Sequence, residues 1–100
     1  MSEPGDEGIT LTETASKGRY AFSADGGPEA ELTLSKAGER IIIIDHTEVP
    51  AFYRGKGVGV KLVERAVADA RAAGKKIVPL CPFAAAQFRR HPEWGDVLER

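Results

Sequence analysis

The sequence predicts an α+β domain in which helices pack on a mixed, mostly antiparallel sheet. Two observations lead to this prediction. Short alternating segments joined by tight turns fill the first half of the chain, and a wholly apolar strand is later followed by a long amphipathic helix and a further strand. Tight turns join antiparallel neighbours, whereas a strand–helix–strand succession forms a right-handed crossover between parallel strands. The predicted element order is β-β-β-β-α-β-α.

The length of 100 residues is enough for one small domain with a modest core. We predict a single domain over residues 9–100 and a disordered tail over residues 1–8, which are acidic and contain Gly and Pro. The single cysteine, Cys81, excludes an intramolecular disulfide and favours a reducing compartment, so a cytoplasmic location is expected. No apolar run approaches the roughly 20 residues of a membrane span.

Charge is distributed unequally along the chain. Residues 1–50 carry ten acidic and four basic side chains, and residues 51–100 carry five acidic and ten basic ones. A basic second half suits an anionic ligand, although chance clustering on solvated faces accounts for it equally well. The net charge of −1 and the lack of a basic stripe with interleaved aromatic residues argue against nucleic acid as a partner.

Four strands are predicted before the helix: Ile9–Glu13, Arg19–Ala24, Ala30–Ser35 and Ile41–Val49. The last of these begins with four isoleucines, so both of its faces are expected to be buried there. Beyond the isoleucines the pattern alternates, which places His46 and Glu48 on one face of the strand.

The second half of the chain predicts a helix over Val58–Ala73, a strand over Ile77–Leu80 and a short helix over Ala84–Arg90. Pro79 cannot donate a hydrogen bond to a neighbouring strand. We therefore expect its strand to lie at an edge of the sheet or to separate from its neighbour near Pro79.

The segment Arg54–Gly59 has three alternate glycines at the junction of a strand and a helix. Such a loop exposes its N–H groups, and the helix that follows adds the positive end of its dipole, so the junction suits a phosphate or pyrophosphate. Pro50 stands where a P-loop requires glycine, and Val60 stands where a dinucleotide fingerprint requires glycine. Both of those nucleotide motifs are therefore excluded.

The pattern Arg54-x-x-Gly57-x-Gly59 resembles the acetyl-coenzyme A motif of the GNAT superfamily of N-acetyltransferases. The stretches at residues 45–50, 79–83 and 89–93 resemble a subfamily of short, single-domain GNAT-like proteins. This resemblance extends from about Tyr20 to Trp94, which is most of the chain.

The resemblance implies an acetyl-CoA-dependent N-acetyltransferase that acts on a primary amine of a small molecule or a protein. No metal is expected, because the two His and one Cys lack ligand spacing, and we expect a monomer or weak dimer. It also implies that acetyl-CoA lies between the fourth and fifth strands. The residues implied to bind it are Val49, Arg54, Gly55, Lys56, Gly57, Val58, Gly59 and Cys81. The alternatives are a non-enzymatic acyl-CoA-binding module and an interaction domain that keeps only the fold.

Three residues are candidates for catalysis. The resemblance places Cys81 near the thioester, where a thiol could act as proton donor or nucleophile; the alternative is an inert, packed cysteine. His46 or Glu48 could take a proton from the amine. The alternative is that His46 only forms hydrogen bonds within the sheet and that Glu48 is an ordinary surface residue. Many GNAT enzymes use a tyrosine of the last helix as general acid, but Ala84–Arg90 contains none. The chain also lacks a helical pattern before the fourth strand, which predicts an open acceptor site, poor discrimination between acceptors, or an acceptor that is itself a protein.

Overall fold

The structure is a computed structural model of the chain and describes residues 8–99. Five strands and two α-helices follow one another in the predicted order, so the predicted fold class is confirmed. The strands, labelled β1 to β5 in chain order, are Ile9–Glu13, Lys17–Phe22, Ala30–Ala37, Ile41–Glu48 and Lys76–Pro79.

The two α-helices are α1, Val58–Ala73, and α2, Pro82–Arg90. Short 3-10 helices occupy Ala51–Tyr53 and Pro92–Asp96. The tail predicted for residues 1–8 lies outside the described residues, apart from Gly8.

The five strands form one sheet in the order β1-β2-β3-β4-β5. The first four strands are antiparallel neighbours, and β5 returns parallel to β4 after α1. The strand that carries Pro79 is therefore the last of the five, as predicted, and an isolated bridge joins its Ile77 to Leu98.

The helix α1 has the predicted bounds because its apolar stripe is flanked by two glycines in the left-handed conformation. Gly57 precedes the helix with a φ of 71°, and Gly74 follows it with a φ of 70°. At the C-terminal end the Lys75 N–H donates to the Ala70 carbonyl at 2.9 Å, which closes a Schellman motif. This pair of glycines fixes where the helix begins and ends.

The core lies between one face of the sheet and the helices. Its largest fully buried side chains come from the sheet and from α1, and they are Leu32, Ile44, Leu62, Ile77, Val63 and Val67. A hydrogen bond of 2.6 Å from the Tyr20 hydroxyl to the Asp69 carboxylate anchors α1 to the sheet. Burial and this carboxylate together raise the pKa of Tyr20 well above its ordinary value, so the hydroxyl remains a donor.

The prediction that both faces of the isoleucine run are buried is wrong. Ile42 and Ile44 are buried on the core face, but Ile41 and Ile43, which point the other way, are only half-buried. Their neighbours on that face are side chains of the sheet such as Ser35, which is paired with Ile43.

The bounds of five elements, β2, β3, β4, β5 and α2, differ from the predicted ones by one or two residues. The strand β2 begins at Lys17, since Gly18 pairs with Leu34 and packs against its side chain. The strand β3 extends to Ala37, which lengthens its pairing with β4. The helix α2 begins at Pro82, because proline is favoured in the first turn of a helix, where its missing N–H costs nothing.

A β-bulge interrupts β4 at Asp45. Leu34 of β3 pairs with Ile44, whereas Thr33 pairs with His46, so Asp45 is the extra residue on β4. An extra residue shifts the alternation of every side chain that follows it. This shift decides which face of β4 each residue of the site occupies.

Beyond the bulge, Thr47 pairs with Leu32 and lies on the core face together with Ile44. His46 and Glu48 lie on the opposite face of the sheet. A regular strand would have placed His46 and Glu48 on the same face as Ile44.

Candidate functional site

The glycine loop connects the end of β4 to α1 through two left-handed residues. Gly55 and Gly57 have φ values of 79° and 71°, and a Cβ atom added at either position would meet open space. The loop thus needs glycine for its backbone conformation at both positions, with no neighbouring atom to exclude a side chain.

Gly59 has a different role, since it lies inside the first turn of α1. A Cβ atom there would lie 2.8 Å from the Phe83 ring and 3.4 Å from the Val49 side chain. The lack of a side chain at Gly59 therefore lets α2 and the end of β4 pack against the start of α1.

The N–H groups of the loop are not equally available to a ligand. The Arg54 N–H donates to the Ala51 carbonyl at 2.9 Å, and the Lys56 N–H donates to the Tyr53 carbonyl at 3.0 Å. The first regular bond of α1 runs from the Lys61 N–H to the Gly57 carbonyl at 3.0 Å. By helix geometry, the N–H groups of residues 58–60 have no acceptor within α1. They project from its N-terminal end, where an anion could accept hydrogen bonds from them.

A pocket of about 550 Å³ opens beside the loop. It is lined by both polar backbone and apolar side chains, and its lining residues are Val49, Pro50, Ala51, Tyr53, Arg54, Gly55, Gly57, Val58, Gly59, Val60 and Phe83. Six of the eight residues predicted to bind the coenzyme are in this lining; Lys56 and Cys81 are not.

The strands β4 and β5 separate at the level of this site. Their last pair is Ile44 with Pro79, after which β4 continues to Glu48 paired only with β3. The Leu80 N–H donates to the Val78 carbonyl at 3.0 Å, so the chain turns sharply at the end of β5. The separation predicted near Pro79 is confirmed.

Cys81 lies at the inner end of this gap. Its N–H donates to the Ile44 carbonyl at 3.0 Å, its side chain is 5% exposed, and its sulfur lies 3.6 Å from the Thr47 hydroxyl. Cys81 also immediately precedes α2, although its sulfur does not form a regular capping hydrogen bond with the helix.

Two opposing effects act on the Cys81 thiol. Burial opposes ionisation, but polar interactions with the Ala84 N–H, the Thr47 hydroxyl and the Phe83 N–H favour the thiolate. The second effect is the larger, and it lowers the pKa of Cys81 below that of an ordinary thiol.

His46 and Glu48 lie across the sheet from this thiol. Their side chains are 63% and 69% exposed, and His46 Nε2 lies 4.0 Å from Glu48 Oε1. The structure thus brings His46 and Glu48 together but places them on the face of β4 opposite to Thr47 and Cys81.

Sequence reasoning missed Tyr53 as part of the site. Its buried hydroxyl accepts a hydrogen bond from the Ala24 N–H at 3.0 Å and faces the Ala24 carbonyl at 3.3 Å. Its ring packs edge-on against Phe22 and Phe52. Tyr53 therefore fixes the segment before the glycine loop to the turn between β2 and β3, and no local pattern around Tyr53 indicates this.

Within residues 8–99, no group of three or more His, Cys, Asp or Glu side chains is arranged to hold a metal ion. In the same part of the chain, neither helix is long and apolar enough to cross a membrane.

A sheet that separates between two parallel strands, with a glycine loop leading into the intervening helix, is the arrangement that the resemblance to the GNAT superfamily implies. Comparison with known proteins identifies the family directly. The family of GCN5-related N-acetyl-transferases matches residues 19–97, so the chain belongs to that family and is an acetyltransferase.

Among solved structures, the chain is similar to the NMR structure of a GCN5-like protein from Staphylococcus aureus. The two are 29% identical, the match covers 93% of this chain and 90% of that one, and the TM-score is 0.70. No match was found among curated proteins.

Proposed function

We propose that this acetyltransferase binds acetyl-CoA at the glycine loop and transfers the acetyl group directly to a primary amine. The observation that carries the proposal is the continuity of the site. The pocket at the start of α1 lies beside the gap between β4 and β5, and a thiol with a lowered pKa lies at the inner end of that gap. A phosphate-binding end, a narrow gap and a polar group near the inner end match the parts of an extended thioester substrate.

The pyrophosphate would bind at the start of α1. The N–H groups of residues 58–60 and the helix dipole favour negative charge there, and the exposed side chains of Arg54 and Lys56 add positive charge nearby. Val49 and Phe83 offer apolar contacts to the uncharged arm of the substrate. Lys56 acts in this proposal through its side chain alone, because its N–H is already bonded to Tyr53.

Cys81 would serve as the proton donor in the transfer step. The amine nitrogen attacks the thioester carbonyl carbon with its lone pair, the C–N bond forms, and the C–S bond breaks with its electron pair remaining on the departing sulfur. Cys81 gives its proton to that sulfur and becomes a thiolate. It regains a proton from solvent, while the acetylated nitrogen loses one to a base.

His46 and Glu48 would supply that base on the open face of the sheet. Both side chains are largely exposed, and His46 Nε2 lies 4.0 Å from Glu48 Oε1. The amine then approaches through the open face, while the thioester lies on the side of Cys81. An open face also suits acceptors of varied size, including a lysine side chain of another protein.

The test is thioester consumption in a single turnover with a panel of primary amines, comparing wild type with a His46→Gln, Glu48→Gln double variant. We expect acetylated amine from the wild type and roughly 10²–10⁴-fold slower transfer in the variant. Binding of acetyl-CoA with no transfer to any amine would favour an acyl-CoA-binding module, and no binding would favour an interaction domain. A cytoplasmic location and a monomeric or weakly dimeric state remain predictions.

A further inference from the structure

Thr47 occupies the core face of β4 only because of the bulge at Asp45. In a regular strand Thr47 would lie on the face opposite to Ile44, and its hydroxyl would be directed away from α2. With the extra residue, Thr47 pairs with Leu32 on the core face. The bulge therefore brings the Thr47 hydroxyl to the side of the sheet where Cys81 lies.

The two residues meet at 3.6 Å, between Cys81 Sγ and Thr47 Oγ1, although they are 34 positions apart in the chain. The backbone of Cys81 is fixed independently by the hydrogen bond from its N–H to the Ile44 carbonyl. Its side chain is 5% exposed, so few water molecules can compete with the hydroxyl for the sulfur. Thr47 is thus the side-chain hydrogen-bond partner of this thiol.

We propose that Thr47 is a positioning residue for acetyl transfer, holding the Cys81 sulfur at the inner end of the gap between β4 and β5. The inference rests on the proposed function. A threonine hydroxyl can both accept and donate a hydrogen bond. It accepts from the thiol before transfer, and it donates to the thiolate that remains once Cys81 has given its proton to the departing sulfur.

The test replaces the hydroxyl while keeping the shape of the side chain. Thr47→Val retains a β-branched side chain that suits a strand, and Thr47→Ser restores the hydroxyl. Thr10→Val is the matched control, since it removes an exposed strand hydroxyl from β1, at the far edge of the sheet. We expect Thr47→Val to lower kcat roughly 10- to 100-fold with little change in the KM for acetyl-CoA, and Thr47→Ser to recover most of the loss.

A second readout does not depend on turnover. Cys81 is the single cysteine of the chain, so the thiolate absorbance near 240 nm, corrected with a Cys81→Ala variant, reports its titration alone. The titration midpoint should rise in Thr47→Val and return in Thr47→Ser. Circular dichroism confirms that each variant is folded, and Thr47→Ala provides a second hydroxyl-free variant if Thr47→Val is not.

An unchanged midpoint in a folded Thr47→Val protein would overturn the proposal, as would a raised midpoint with full kcat. A wild type that binds acetyl-CoA without transfer would instead overturn the proposed function. In that case the titration would still report whether Thr47 acts on the thiol.

Discussion

In the proposed mechanism the proton donor is a thiol. The helix α2 contains no tyrosine, and Cys81 immediately precedes it. A thiol with a lowered pKa gives up its proton more readily than an ordinary one, which is the property required of an acid that protonates a departing thiolate.

We predict that Cys81→Ala slows turnover by roughly 10²–10⁴-fold and weakens acetyl-CoA binding much less. The reason is that the thiol acts on charge that develops only as the C–S bond breaks. Single-turnover thioester consumption with saturating acetyl-CoA measures the loss, and Cys81→Ser provides a variant of similar shape with a weaker acid. Full activity of the alanine variant would show that Cys81 contributes only to packing.

The pH dependence of kcat tests whether Cys81 acts as an acid. A general acid must be protonated to act, so kcat should fall as the pH rises through the pKa of Cys81. Since that pKa is lowered, the fall should occur at a lower pH than an ordinary thiol would give, and Cys81→Ala should lack it. Mass spectrometry of the intact protein provides the control, because an acetyl-Cys81 that decays on adding amine would indicate a covalent route instead.

At the scale of elements, the glycine loop illustrates how similar residues in one motif have different functions. Gly57 is needed for a backbone φ that other residues rarely adopt, whereas Gly59 is needed for the contact of α1 with Phe83 and Val49. The resemblance to the GNAT motif identified both positions and implied the same role for both, the binding of acetyl-CoA. Only the packing of α2 against α1 distinguishes the two roles.

We predict that Gly57→Val weakens acetyl-CoA binding roughly 10-fold or more while the fold persists, because a β-branched residue is strained at a φ of 71°. Gly57→Asn is the matched control, since asparagine tolerates this conformation, and it should bind nearly as well as wild type. Calorimetric affinities of folded variants decide the outcome, and equal affinities for Gly57→Val and wild type would contradict the loop assignment.

Gly59→Val should also weaken binding, but through its neighbours. The added side chain displaces the Phe83 ring, so the smaller side chain of a Phe83→Leu replacement should recover part of the lost affinity in the double variant. No such recovery is expected when Phe83→Leu is combined with Gly57→Val, since a side chain at residue 57 meets open space.

At the scale of the whole molecule, the sheet has one face against the helices and one face that is mostly half-buried and becomes exposed at His46 and Glu48. Residues 8–50 contain strands and turns only, as the sequence predicted, so the described chain places no helix there to build an enclosed acceptor pocket. His46 and Glu48 therefore face open solvent, where the proposed function places the acceptor amine.

We predict that acetyl-CoA raises the melting temperature of the whole domain. A ligand at 100 times its Kd adds roughly 2.7 kcal/mol to the free energy of unfolding, which corresponds to an increase of about 10 °C or more for a domain of this size. Thermal unfolding with acetyl-CoA, beside adenosine and ATP at the same concentration, provides the measurement. Equal shifts with all three compounds would contradict a specific coenzyme site.

The sequence by itself determined the class of the fold, the bounds of α1, the parallel return of β5 and the position of the glycine loop. Each of these depends on neighbouring residues: the helical spacing of apolar side chains, the glycines at residues 57 and 74, and the strand–helix–strand succession that returns β5 parallel to β4. Local patterns of this kind involve only a few consecutive residues, so they can be recognised in the sequence.

Only the tertiary structure decided how the residues of the site are grouped. The bulge at Asp45 places Thr47 beside Cys81 and moves His46 and Glu48 to the opposite face. A bulge arises from the pairing of two strands. The Cys81 thiol and the Thr47 hydroxyl come from parts of the chain that are 34 positions apart. No periodicity within β4 reveals either contact, because the packing of β3 and α2 against β4 creates both.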